Sequence, residues 1–206
     1  MLSIEHPSQR MPKKVGVTSL TLKIGVVGAA KSGKSSFIRR FVEKAFEDAY
    51  FRPTHTVTVS RLRSSMAHHL GYRVVHLELW EIPEESVIQP LEKEILEKLQ
   101  AVIILGDRSN SASWECMLKW VLEVKEASLE KDPSILIALA LNKSELSEEF
   151  WKVTDEDMRQ LVSSQKCEHY FNISCASDMN VDDVVRRCCF ECIKLQSQKH
   201  ASKAKT

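Results

Sequence analysis

The stretch Gly28-Ala29-Ala30-Lys31-Ser32-Gly33-Lys34-Ser35 carries the chemistry that stands out in this chain. It satisfies the pattern GxxxxGK[ST] at every fixed position, with an apolar run before it and an amphipathic run after it. Such a loop turns its backbone N–H groups inward, and the helix that follows adds the positive end of its dipole. Both features suit a chain of phosphates. Lys34 is spaced to reach the outer phosphates, and the Ser35 hydroxyl suits a magnesium ion. Ser36 adds a backbone N–H in the same first helical turn.

The elements that must position this loop alternate along the chain. "LTLKIGVV" (20–27) alternates and then becomes fully apolar, which predicts a strand entering a buried sheet. "SFIRRFVEKAF" spaces Phe37, Ile38, Phe41, Val42 and Phe46 as an amphipathic helix. "HTVTVSRL" and "YRVVHLELW" read as an antiparallel strand pair. "PLEKEILEKLQ" sets Leu91, Ile95 and Leu99 on one helix face, and "AVIIL" follows as a short buried strand. "SASWECMLKWVLEVKEA" predicts a helix with Trp114, Met117, Leu118, Val121 and Leu122 facing inward. "ILIALAL" and "HYFNIS" read as the last two strands. A helix opened by a Thr154–Asp157 capping pair separates them, and "VDDVVRRCCFECIKLQ" is the final helix. The alternation implies an α/β fold: a mostly parallel six-stranded sheet, one antiparallel edge strand, and helices on both faces. The expected organisation is one domain over residues 20–196, a flexible extension at 1–19 and a flexible basic tail at 197–206.

Composition narrows the classes. A length of 206 residues suits one domain, and a formal net charge of +1 argues against a dominant basic surface, so no nucleic-acid partner is expected. The six cysteines fall in the second half without disulfide or zinc spacing, which suits a reduced, cytoplasmic setting. Cys188 and Cys189 read as buried helix residues rather than lipid sites. No apolar run reaches the roughly 18 residues of a membrane span. The chain opens Met-Leu and closes Ser-Lys-Ala-Lys-Thr, so neither a signal peptide nor a direct lipid anchor is expected.

In this order of elements the chain resembles a Ras-superfamily small GTPase, nearest in style to the Rab branch. Besides the phosphate loop, four segments carry the resemblance: "FRPTHTV", "LELWE", "NKSE" and "NISCAS". The resemblance implies GTP or GDP with Mg2+ as cofactors. It implies nucleotide contacts from Gly28, Ala29, Ala30, Lys31, Ser32, Gly33, Lys34, Ser35 and Ser36. Asn142 would brace the loops, the Lys143 stem would cover the base, and Glu145 would accept from the guanine edge. Ser174, Cys175 and Ala176 would back the base, and Ser35, Thr54 and Glu81 would hold the metal. Two positions depart from the family pattern: Glu145 replaces an aspartate, which can relax base selection, and Ala176 replaces a lysine. Rab-like relatives without lipid tails act through protein effectors or complex subunits, recruited to vesicles or the cilium. The implied contact surfaces are the switch regions around residues 50–60 and 80–95.

"LELWEIPEES" departs further. Aligned on the family motif, it puts Glu81 at an aspartate, Pro83 at an alanine, Glu84 at a hinge glycine and Glu85 at the water-orienting glutamine. No glycine lies between residues 72 and 105 to replace that hinge, and Pro83 removes a donor. Each glutamate brought within about 5 Å of a phosphate charge costs about 3 kcal/mol before screening. No catalytic residue is therefore assigned, and GTP hydrolysis is expected to be slow or absent. Two other classes stay open on sequence alone: a nucleotide-free pseudo-GTPase scaffold and a P-loop small-molecule kinase. A kinase would want an arginine-rich lid, and Arg108, Arg159, Arg186 and Arg187 form no loop cluster in sequence.

Overall fold

A computed structural model describes residues 19–47, 57–64, 74–84, 91–129, 131–165, 167 and 169–203. The strands are β1 (Ser19–Gly28), β2 (Thr58–Ser64), β3 (Val74–Glu81), β4 (Ala101–Asp107), β5 (Leu136–Asn142) and β6 (His169–Asn172). The helices are α1 (Lys34–Glu43), α2 (Leu91–Leu96), α3 (Ser111–Ser128), α4 (Asp155–Gln165) and α5 (Val181–Lys203). They build one six-stranded sheet in the order β2-β3-β1-β4-β5-β6. Only the β2–β3 pair is antiparallel, which makes β2 the antiparallel edge the sequence predicted.

Strand burial follows from the apolar runs. Every residue of β4 and of β5 is buried, as expected of central parallel strands covered on both faces. One face packs Phe37 and Ile38 of α1 with Val184, Val185, Cys188 and Cys192 of α5. The other packs Met117, Trp120 and Val121 of α3 with Leu99, Met158 and Leu161. All six cysteines are buried and outside any disulfide, so Cys188 and Cys189 are core residues, as the helical pattern implied. No described helix is long and apolar enough to cross a membrane.

Three readings need correction. On α3 the inward stripe is Ser113, Cys116, Met117, Trp120, Val121, Val124 and Ala127, whereas Leu122 is 59% exposed. A step of 100° per residue carries Leu122 off that stripe, and its apolar type had suggested the wrong phase. The helix from Leu91 ends at Leu96, and Leu99 reaches the core through two turn bonds, Lys98 N–H to Ile95 C=O and Leu99 N–H to Leu96 C=O, each 3.0 Å. Third, the final helix, expected to end at residue 196, runs on as α5 to Lys203. The Ser197 hydroxyl donates to the Ile193 carbonyl at 2.9 Å, and residues 196–203 contain no glycine or proline to stop the helix. The expected extension at 1–18 lies outside the described residues.

Candidate functional site

The phosphate loop leaves β1 at Gly28 and enters α1 through Gly33, as the motif requires. Both glycines have positive φ, 139° and 99°. A Cβ on Gly28 would strike the Leu105 carbonyl, and one on Gly33 would strike the Asn142 side-chain amide. Lys31 also holds a left-handed backbone, at φ 63°. These turns bend the loop tightly around its own centre, where Lys34 Nζ donates to the carbonyls of Gly28 and Ala29 at 2.9 Å each. Burial pushes the Lys34 ammonium pKa down, while the nearby Glu81 and Glu84 carboxylates oppose that shift.

The loop fits a phosphate chain on three structural grounds. Gly33 precedes α1 and has no side chain to cap its first turn, so among the described residues no N-cap side chain competes with an anion there. The Ser32 Oγ is fully buried with no hydrogen-bond partner among the described residues. Finally, Gly28 and Gly33 hold left-handed turns packed against Leu105 and Asn142, where a Cβ does not fit, so the loop keeps the close bend that turns its N–H groups inward. Two of the three residues expected to hold the metal lie together. Ser35 Oγ donates to Glu81 Oε1 at 2.6 Å, so these two residues, 46 apart in sequence, meet at one point. Thr58, which the sequence did not single out, donates to the other Glu81 oxygen at 3.5 Å. The described residues contain no group of three or more His, Cys, Asp or Glu side chains placed to hold a metal. Magnesium needs none, since it is held by one or two protein oxygens together with phosphates and waters. Thr54 lies outside the described residues.

Asn142 ends β5, and its side chain bonds to two loops. Its Nδ2 donates to the Ser32 carbonyl at 2.9 Å, and its Oδ1 accepts from Cys175 N–H at 3.1 Å. One buried amide thus joins the phosphate loop to the loop at 174–176. Lys143 adopts a left-handed backbone (φ 65°), and its ammonium pairs with Asp107 Oδ2 at 2.6 Å. Glu145 is exposed, and its charge adds to the burial that pushes the Cys175 thiol up to about 12. Ser174 is fully buried, exchanges backbone bonds with Met179, and accepts Ser177 N–H on its hydroxyl at 3.0 Å. Ala176 is exposed.

The sequence reading missed several partners. Arg40 on α1 donates from Nε to the Cys175 carbonyl at 2.8 Å and from Nη2 to the Ala176 carbonyl at 2.9 Å. Asp107 supplies the Lys143 counter-ion. Arg108 is 2% exposed, stacks 4.0 Å over the Trp151 ring, pairs with Asp155 and donates to Asn172 at 2.8 Å. Only the acidic residue closing "AVIILGD" sits where a strand-end signal could have drawn attention. Glu84, which the sequence reading marked only as a misplaced charge, accepts Ala30 N–H on Oε2 at 2.6 Å.

A GxxxxGK[ST] loop between a buried strand and a helix, at the carboxyl edge of a mostly parallel sheet, defines the P-loop class of domain. Comparison with known proteins narrows that class. The family model described as Ras family matches residues 23–194. The chain belongs to the Ras family, and its relatives make it a Rab-like small GTPase. It is 28% identical to the Ras-related protein Rab-28 of Caenorhabditis elegans over 127 residues, 62% of this chain and 50% of the relative. It is 28% identical to the Ras-related protein RABF2b of Arabidopsis thaliana over 169 residues, 82% of this chain and 80% of the relative. The GTP-binding protein YPT53 of Saccharomyces cerevisiae is 25% identical over 169 residues, with 80% of this chain and 73% of the relative covered.

Proposed function

We propose that this domain binds GDP or GTP with magnesium and works as a protein-interaction module whose GTP hydrolysis is slow or absent. The observation that carries the reading is the Asn142 side chain. It ties the phosphate loop and the 174–176 loop together, so the phosphate-binding and base-backing segments share one rigid frame. In that frame the loop N–H groups and Lys34 would hold the phosphates, and Ser35 with Glu81 would hold magnesium. Magnesium would supply charge neutralisation on the phosphate oxygens. Lys143 and Glu145 would take the base face and edge, with Ser174, Cys175 and Ala176 behind it. Hydrolysis is expected to be slow because "EIPEES" supplies neither a hinge glycine nor a glutamine at the expected positions. Partners would meet the surfaces around residues 50–60 and 80–95, and recruitment to vesicles or the cilium would run through them.

The test is to purify the chain natively and identify bound nucleotide by chromatography. Guanine nucleotide kept by wild type and lost in Lys34→Ala is the expected result. No bound nucleotide, together with no magnesium-dependent GDP or GTP binding on titration, would overturn the reading in favour of a scaffold. Retained ATP would favour the kinase alternative. A turnover rate like that of ordinary Rab domains would refute the account of hydrolysis.

A further inference from the structure

Glu84 reaches back onto the phosphate loop. Its Oε2 accepts the Ala30 N–H of the phosphate loop at 2.6 Å. Burial pushes the Cys116 thiol of α3, 6% exposed, up to about 11, and the Glu84 charge adds to that shift. The Lys34 ammonium lies near enough to feel the Glu84 charge. The backbone leading to Glu84 is anchored as well. Ile82 is 1% exposed, and its N–H donates to the Val26 carbonyl at 3.0 Å, extending the β1–β3 pairing beyond Glu81. Pro83 is buried and its ring fixes φ. The carboxylate is therefore delivered to the loop by a segment with little freedom to swing away.

A phosphate loop binds anions through a limited set of inward N–H groups and one lysine. Here the chain's own carboxylate has already taken one N–H and shares the lysine's field. The closest analogue of that carboxylate in charge and acceptor geometry is a terminal phosphate oxygen pair. We propose that Glu84 is an intramolecular anion seated on the phosphate loop, which makes the site selective for a nucleoside diphosphate over the corresponding triphosphate. This rests on the nucleotide-binding reading above. A diphosphate leaves room for the carboxylate and its bond to Ala30. A triphosphate brings further negative charge to the same loop, so it must displace Glu84 or bind beside it against like-charge repulsion.

The experiment measures magnesium-dependent affinities of the full chain for fluorescent GDP and for a fluorescent non-hydrolysable GTP analogue. Wild type, Glu84→Ala and Glu84→Gln are compared, each first checked for folding by thermal melting. Wild type is expected to bind the diphosphate at least about tenfold tighter. Glu84→Ala is expected to close most of that gap by gaining triphosphate affinity, with little change for the diphosphate. Glu84→Gln keeps an acceptor for Ala30 N–H without the charge, so it should close the gap in part and covers the case in which the alanine variant does not fold. Equal affinities in wild type, or a gap unchanged in both Glu84 variants, would overturn the inference while leaving nucleotide binding intact. Failure of wild type to bind either nucleotide would overturn both readings.

Discussion

Replacing Asn142 with alanine tests whether one buried amide really joins the two loops. In wild type its Nδ2 donates to Ser32 C=O at 2.9 Å and its Oδ1 accepts Cys175 N–H at 3.1 Å. Asn142 is 3% exposed, and both bonds are buried. Truncation leaves a carbonyl and an N–H without their partner, and each orphaned buried group costs about 1–3 kcal/mol. Some relief comes from water entering the space left behind, so the expected loss is about 2–4 kcal/mol. For a domain of this size, 1 kcal/mol moves Tm by about 2–4 °C, so the variant should melt roughly 5–15 °C lower. Asn142→Asp separates the two bonds. A carboxylate can accept from Cys175 N–H but sets negative charge against the Ser32 carbonyl, so it should rescue nothing. Calorimetry or denaturant melts on the three proteins decide the matter. A loss under about 1 kcal/mol in Asn142→Ala, or an Asn142→Asp variant as stable as wild type, would refute the bridge.

Other consequences can be checked separately. Gly33→Ala forces a Cβ onto a residue at φ 99° and into the Asn142 amide, so it should cost at least about 1–3 kcal/mol and weaken phosphate binding, both readable by melting and nucleotide titration. Thr154→Ala removes a hydroxyl that accepts Asp157 N–H at 3.2 Å at the start of α4, and should cost about 1 kcal/mol in urea unfolding. Burial pushes the Cys189 thiol from 9.0 up to about 12. Because the folded value is the higher one, this contribution to stability is complete below pH 9 and is lost as pH rises towards 12. The stability difference between wild type and Cys189→Ala should therefore narrow above pH 9, and a constant or widening difference in urea midpoints would contradict the burial argument.

The phosphate loop was legible in the sequence because its chemistry is local. Eight consecutive residues carry the turns, the amide donors, the lysine and the serine, and the flanking apolar runs specify the strand and helix that aim them. The burial of β4 and β5 could be inferred for the same reason, since both runs are apolar at almost every position. The Thr154–Asp157 cap is likewise written into four residues. Where the reading slipped, the deciding quantity was not local. The phase of α3 depends on which side of the helix meets the sheet, so Trp120 is buried and Leu122 is not. The extent of α5 depends on continued hydrogen bonding in a stretch whose polar composition suggested a free tail.

Only the tertiary structure could pair residues across the sheet. Arg40 reaches the carbonyls of Cys175 and Ala176 across 135 and 136 positions of sequence, and Asp107 meets Lys143 across 36. Glu84 illustrates the difference most clearly. By sequence it is a negative charge standing where the family pattern has glycine, and charge alone says that it should avoid phosphate. In the folded chain it lies across 54 positions on the N–H of Ala30, beside Lys34 and Cys116. Residue type fixed its charge, and the adjacent β1 and β3 strands fixed where that charge is delivered. A local pattern sets which groups a segment carries, whereas strand neighbours in a sheet are chosen by packing of the whole chain.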